Sequence, residues 1–157
     1  MSERTNEKNM QLHYKRVGRE FAMQYLFQVD VVGVDDQTKA LEIFWSQVED
    51  SEILPMNRIY RKGREFAENI IAGVCEHLEL LDETIESASV KWNVDRMVVV
   101  DKNLMRIAAF EMMFCEDVPA PVSIDEAIEI AKDFSDEKSA KFINGILNKI
   151  KENIEKS

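Results

Sequence analysis

The sequence predicts an all-α fold of about seven helices, and three of its features point that way. Apolar residues recur every three or four positions along most of the chain, which is the spacing of one helix face. Only five glycines and three prolines interrupt 157 residues. No segment carries the sustained two-residue alternation of a half-buried strand. The length suits one domain, or two small helical halves sharing a core.

Residues 1–12 are polar, carry both charge signs and read as a mobile tail; the folded domain is expected over 13–157. From His13 to Asp30 a first helix carries Val17, Phe21, Ala22, Tyr25, Leu26 and Val29 on its apolar stripe. Val31 to Asp36 breaks the pattern. Thr38 is a candidate N-cap for a helix presenting Leu41, Phe44, Trp45 and Val48. Pro55 closes the turn that follows. A long periodic stretch runs from Asn57 to Ser89, with a break expected near Leu80-Leu81-Asp82. After a connection at Lys91–Asp95 comes an apolar segment, Met97 to Phe114. Its Val98-Val99-Val100 favours a strand locally, but Leu104, Ile107, Ala108 and Met112 favour a buried helix. Pro119-Ala120-Pro121 reads as an extended link. Ser123-Ile124-Asp125-Glu126 fits a capping box opening a helix through Asp133. Ser135 is a candidate cap for the last helix, where Phe142, Ile143, Ile146, Leu147, Ile150 and Ile154 form one stripe.

The formal net charge is −10, which by itself opposes a nucleic-acid partner. Its distribution changes that reading. Lys8 to Arg19 holds four bases and no acid, Met56 to Arg64 holds four more and no acid, and Glu65 to the end holds 20 acids and 10 bases. Two local basic patches, one of them Arg58, Arg61, Lys62 and Arg64, can therefore meet phosphate on an acidic protein. The pentapeptide Gly18-Arg19-Glu20-Phe21-Ala22 also recurs as Gly63-Arg64-Glu65-Phe66-Ala67, 45 residues on.

The groups an enzyme would need are scarce. The two histidines, His13 and His77, form no His-x-x-x-His pair. No Cys-x-x-Cys, Gly-x-Ser-x-Gly, phosphate-binding loop or dinucleotide glycine pattern is present. Cys75 and Cys115 sit in apolar helical patterns and read as packed thiols. Asp125, Glu126 and Glu129 fall in a first helical turn, where acids complement the helix dipole. The expectation is a non-enzyme with no metal and no cofactor. No run approaches the roughly 18 apolar residues of a membrane span, so the expected location is cytoplasmic.

Two stretches resemble the NusB family. The first is Lys15-Arg16-Val17-Gly18-Arg19-Glu20-Phe21-Ala22, continuing to Phe27-Gln28. It is similar to that family's opening helix, although Val17 and Gly18 thin its arginine-rich run. The second runs from Val100-Asp101-Lys102-Asn103-Leu104-Met105-Arg106-Ile107 through the double-proline link and Ser123-Ile124-Asp125-Glu126-Ala127 to Lys138-Ser139-Ala140-Lys141-Phe142-Ile143-Asn144-Gly145. Where the family usually has Asn-Glu-Ala, this chain has Asp125-Glu126-Ala127. The resemblance is strongest in the last third and weakest over residues 31–60.

The resemblance implies two packed helical subdomains, roughly 13–90 and 91–157. It implies transcription antitermination: binding of boxA-type single-stranded RNA in rRNA leaders, with ribosomal protein NusE as co-binder, so that RNA polymerase passes terminators. Its implied RNA-binding residues are Lys15, Arg16 and Arg19, which share a helix face, together with Phe27, Phe142 and Lys138. Guanidinium groups suit phosphate, and exposed rings suit stacking on unpaired bases. Asp101 matches an acidic position of the NusE interface. Each has a plainer role open to it: core packing for the two rings, and a helix N-terminal acid for Asp101. Two other readings also remain, a helical protein–protein adaptor without RNA binding and the NusB-like domain of an rRNA methyltransferase, which would make this chain a fragment.

Overall fold

Helical periodicity becomes seven α-helices and one short 3-10 turn in the computed structural model, which describes residues 3–51 and 57–157, with 3–13 described by backbone alone. The helices are α1 (Glu3–Val32), α2 (Gln37–Asp50), α3 (Arg58–Glu76), α4 (Leu78–Ser89), α5 (Val99–Phe114), α6 (Ala120–Phe134) and α7 (Glu137–Glu155); the 3-10 turn is Val94–Arg96. No strand occurs among the described residues. Helix α1 begins at Glu3, ten residues ahead of the expected His13 start. Pro55 lies outside the described residues. The chain divides into two compact units at Ile71 and Ala72, within α3 rather than near residue 90. The second unit claims the end of α3 because Gly73 leaves the space that the Phe110 ring of α5 fills, and α4 packs on α5 and α7.

The first unit is built on an aromatic cluster. Phe21 of α1 meets Trp45 edge-on at 5.2 Å and Tyr60 at 6.0 Å, while Phe44 meets Tyr25 at 5.6 Å and Trp45 at 5.0 Å. Edge-to-face geometry places ring hydrogens on neighbouring π-faces, adding about 0.5–1.5 kcal/mol per pair beyond area burial. Gly33, at φ +82, ends α1, and its amide donates to the Val29 carbonyl at 2.9 Å. The cap of α2 is Asp36, not Thr38: its carboxylate accepts from the Lys39 amide at 3.2 Å.

The repeated pentapeptide has a structural meaning. Gly18 of α1 and Gly63 of α3 face each other where the two helices cross. A Cβ on Gly18 would lie 2.8 Å from the Gly63 carbonyl oxygen and 2.7 Å from Phe66 Cδ1. A Cβ on Gly63 would lie 3.1 Å from Val17 Cγ1 and 3.3 Å from the Tyr14 carbonyl oxygen. Each copy supplies the small residue that lets the other's backbone approach.

In the second unit α5 is the central helix, packed against α4, α6 and α7. Every residue from Asn103 to Ala109 is buried, so burial on all sides accounts for its near-continuous apolar run. The valine run resolves as the start of a helix at Val99. Two polar residues of α5 are satisfied internally. The Arg106 guanidinium grips Asp82 of α4 in a two-pronged pair at 2.7 and 2.8 Å, and the Glu111 carboxylate accepts from the Ser123 hydroxyl at 3.0 Å.

Four sequence expectations fail here for local reasons. The break between α3 and α4 is at His77, not 80–82; its φ of −111 and ψ of 21 leave the helix, and its imidazole stacks on Phe114 at 4.1 Å. Pro119-Ala120-Pro121 starts α6 rather than linking to it, because a first-turn residue needs no amide hydrogen. Ser123 therefore lies inside the helix and bonds Glu111 in place of a capping box. Likewise Asp136, not Ser135, caps α7 by accepting from the Ser139 amide at 2.7 Å.

Candidate nucleic-acid interface

In the first unit, Lys15 and Arg16 are half-buried on α1. Arg19 is 3% exposed, with its guanidinium 5.2 Å from the Phe66 ring centre. A guanidinium desolvated over a ring gains cation–π attraction but is withdrawn from solvent. The sequence pattern that grouped these three residues therefore contains two exposed enough to meet phosphate and one that holds α1 to α3. Phe27 lies two to three turns further along α1 and is 38% exposed, one turn before the exposed Val31. It is not part of the aromatic cluster.

Arg64 has a structural task as well. It lies 4.9 Å from the Trp45 ring centre and pairs with Glu49 at 3.1 Å and Glu68 at 3.4 Å. Tyr60 donates its hydroxyl to the same Glu49 at 3.1 Å. Burial, reinforced by Glu49, pushes the Tyr60 phenol up. The exposed cations of that sequence cluster are Arg58 and Arg61, while Lys62 rests its ammonium 5.3 Å from the Tyr14 ring centre.

In the second unit, Asp101, Lys138 and Phe142, far apart in sequence, line one groove of about 360 Å³. The turn at 94–96 and the starts of α5 and α7 bring them together. Trp92, Met97 and Val98 supply apolar wall, and Arg96 adds a second cation. Trp92 is 49% exposed, so about half of its surface is open to a ligand. Sequence reasoning passed over Trp92 as part of the Lys91–Asp95 connection and gave Arg96 no role; a tryptophan in a short polar link between helices was the signal available.

Asp101 is the electrostatic anomaly of this groove. It is 3% exposed, and its Oδ1 has no hydrogen-bond partner. Burial pushes its carboxyl up, a hydrogen bond from Ser139 offsets part of that, and the charge of Asp136 adds to it. A buried carboxylate oxygen lacking a donor is costly in the free protein and is satisfied by an incoming N–H or cation. The groove thus combines ring faces, two cations and two carboxylates, Asp101 and Asp136. Among the described residues no cluster of three metal-ligating side chains occurs, and no helix is long and apolar enough to cross a membrane.

Comparison with known proteins gives a consistent set of relatives. The sequence model described as "NusB family" matches residues 16–152. Transcription antitermination protein NusB of Desulfotalea psychrophila is 42% identical over 139 residues, covering 87% of this chain and 94% of the relative. The Bacillus subtilis protein of that name is 41% identical over 143 residues, covering 91% and 98%. Among solved structures, T. maritima NusB superimposes with a TM-score of 0.71 at 35% identity, covering 87% of this chain and 89% of that one. A chain from the complex of antitermination factors NusB and NusE with dsRNA gives 0.70 at 26% identity, covering 87% and 95%.

Proposed function

The chain belongs to the NusB family, and from that membership we propose that it is a transcription antitermination factor that binds boxA-type RNA together with ribosomal protein NusE. In this role it joins the transcription complex and helps RNA polymerase pass terminators in rRNA operons. The protein works by binding; its residues position RNA and partner rather than make or break bonds.

The observation that carries the site assignment is the second-unit groove, where Lys138, Phe142 and Asp101 meet beside Trp92. Phe142 and Trp92 stack on unpaired bases, each contact contributing about 1–3 kcal/mol. Lys138 neutralises phosphate. Asp101 accepts a hydrogen bond from a basic group of NusE, which relieves its unpartnered oxygen. On the first unit Lys15 and Arg16 hold phosphate, and Phe27 offers a further ring. Arg19 acts indirectly, by fixing the helix that carries them.

The test is a titration of a boxA-like single-stranded RNA and a scrambled control, at two salt concentrations, with and without NusE from the same source. Binding that prefers boxA, tightens with NusE, weakens with salt and falls on Lys15→Glu plus Arg16→Glu is expected. Loss of counterions from phosphate gives the salt dependence. NusE binding with no RNA preference under any condition would make the protein an adaptor and end this reading.

A further inference from the structure

The two basic stretches of the sequence are separated by nearly forty residues, yet the glycine crossing brings them together. The Gly63 position lies against the Tyr14 carbonyl, and Lys62 reaches over the Tyr14 ring. The residues following Tyr14 are Lys15 and Arg16. On α3, residues 58, 61, 62 and 65 follow the i, i+3, i+4, i+7 spacing of one helix face. Arg58 and Arg61 are exposed there. Arg64 points elsewhere, into its pairs with Glu49 and Glu68.

The crossing brings a cationic face of α3, carrying Arg58, Arg61 and Lys62, to α1 where Lys62 meets Tyr14, the residue that precedes Lys15 and Arg16. Its acidic neighbours along the two helices are Glu20 on α1, which is half-buried, and Glu65 on α3, which is exposed. On a chain of net charge −10 such a face acts only at short range, because screening confines exposed charges to about 8 Å at physiological salt. A partner must therefore touch it, and a phosphate backbone in contact with α1 is placed to do so.

We propose that the RNA bound at Lys15 and Arg16 continues onto α3, where Arg58, Arg61 and Lys62 add phosphate contacts of their own. This rests on the RNA-binding reading above and extends it to a helix that the resemblance did not assign to RNA. The cations contact the sugar–phosphate backbone, so the added affinity is independent of base sequence.

The test uses the full chain and a boxA-like RNA extended by flanking nucleotides. Arg58→Glu plus Arg61→Glu is compared with Arg58→Gln plus Arg61→Gln, and with Lys149→Glu plus Lys151→Glu on α7, which changes net charge equally. Circular dichroism verifies that each variant is folded. The α3 charge reversal is expected to weaken binding about tenfold and to reduce the slope of log affinity against log salt by about 1.4, or about 0.7 per lost single-strand contact. The glutamine pair moves both in the same direction by less, and the α7 pair moves neither. Wild-type binding with unchanged affinity and slope in the α3 variants overturns the inference while leaving the function standing. Equal losses in the α7 control overturn it as a net-charge effect. A loss of NusE binding alone assigns the face to protein instead. Absence of wild-type RNA binding removes the function and this inference together.

Discussion

Four glycines sit inside helices of this protein, and at two of them, Gly18 in α1 and Gly145 in α7, the structure predicts opposite outcomes for the same substitution. Alanine favours a helix interior over glycine by about 0.5–1 kcal/mol. At Gly145 a Cβ meets nothing within 4 Å, so Gly145→Ala should gain that full amount. At Gly18 the added Cβ would lie 2.8 Å from the Gly63 carbonyl oxygen and 2.7 Å from Phe66 Cδ1. The Phe66 ring can turn, but the carbonyl belongs to a hydrogen-bonded helix and moves only if α1 and α3 separate. Overpacking of this kind costs about 1–3 kcal/mol. Subtracting the propensity gain leaves Gly18→Ala less stable by about 0–2.5 kcal/mol, centred near 1 kcal/mol. Urea denaturation followed by helical circular dichroism, backed by thermal melting, measures both. For a chain of this size about 1 kcal/mol corresponds to roughly 2–4 °C in Tm. A Gly18→Ala protein more stable than wild type, beside a stabilised Gly145→Ala protein, would refute the close crossing and with it the adjacency of the two basic stretches.

Other substitutions probe the second unit. Asp101→Asn should raise stability at neutral pH, because it removes a buried carboxylate with an unpartnered oxygen. The raised folded-state pKa means the native state binds the proton more tightly than the unfolded chain does. Wild-type stability from this group is thus greatest below the unfolded carboxylate value, about 3.9, and declines as pH rises through the raised folded value. The melting advantage of Asp101→Asn should grow from acid to neutral pH; an advantage independent of pH would be inconsistent with this. The same variant should bind NusE more weakly in a pull-down or calorimetric titration. Asp82→Ala removes the two-pronged carboxylate partner of the buried Arg106 guanidinium, leaving its bond to Asn103, and should cost about 3–5 kcal/mol by chemical denaturation; a loss below about 1 kcal/mol would show that the pair is dispensable. Phe142→Ala should weaken RNA binding by about 1–3 kcal/mol in fluorescence anisotropy without a comparable loss of stability, and unchanged affinity would remove Phe142 from the interface.

Helix type was legible in the sequence because it follows from local spacing. A stripe at 3.6-residue period can bury itself only as a helix, so Val17, Phe21, Ala22, Tyr25 and Leu26 fell together on the buried side of α1. The ambiguity at Val98–Val100 yielded to the longer pattern of α5 for the same reason. Helix ends were less legible, because several neighbouring residues have the chemistry to cap. Thr38 and Asp36, or Ser135 and Asp136, differ only in which one the chain places in extended backbone ahead of the first turn. Ser123 matched a capping box in sequence, and the helix started three residues earlier because proline tolerates the first turn.

The site divided along the same line. Lysines, arginines and exposed rings announce a phosphate- and base-binding chemistry, and the family resemblance named residues for it. Sequence could not tell Arg16 from Arg19, or Arg61 from Arg64, since each has the same side chain in a similar run. Only packing decided that Arg19 lies over Phe66 and Arg64 over Trp45. Nor could it show that Trp92 joins Asp101 and Phe142 in one groove, because that depends on where a three-residue turn delivers the chain. By itself the sequence determined the helices, the family and the kinds of group available to a ligand, since these depend on residue type and short-range spacing. The tertiary structure decided which cations face solvent and which glycines bring two helices into contact, because burial depends on neighbours that lie far away along the chain.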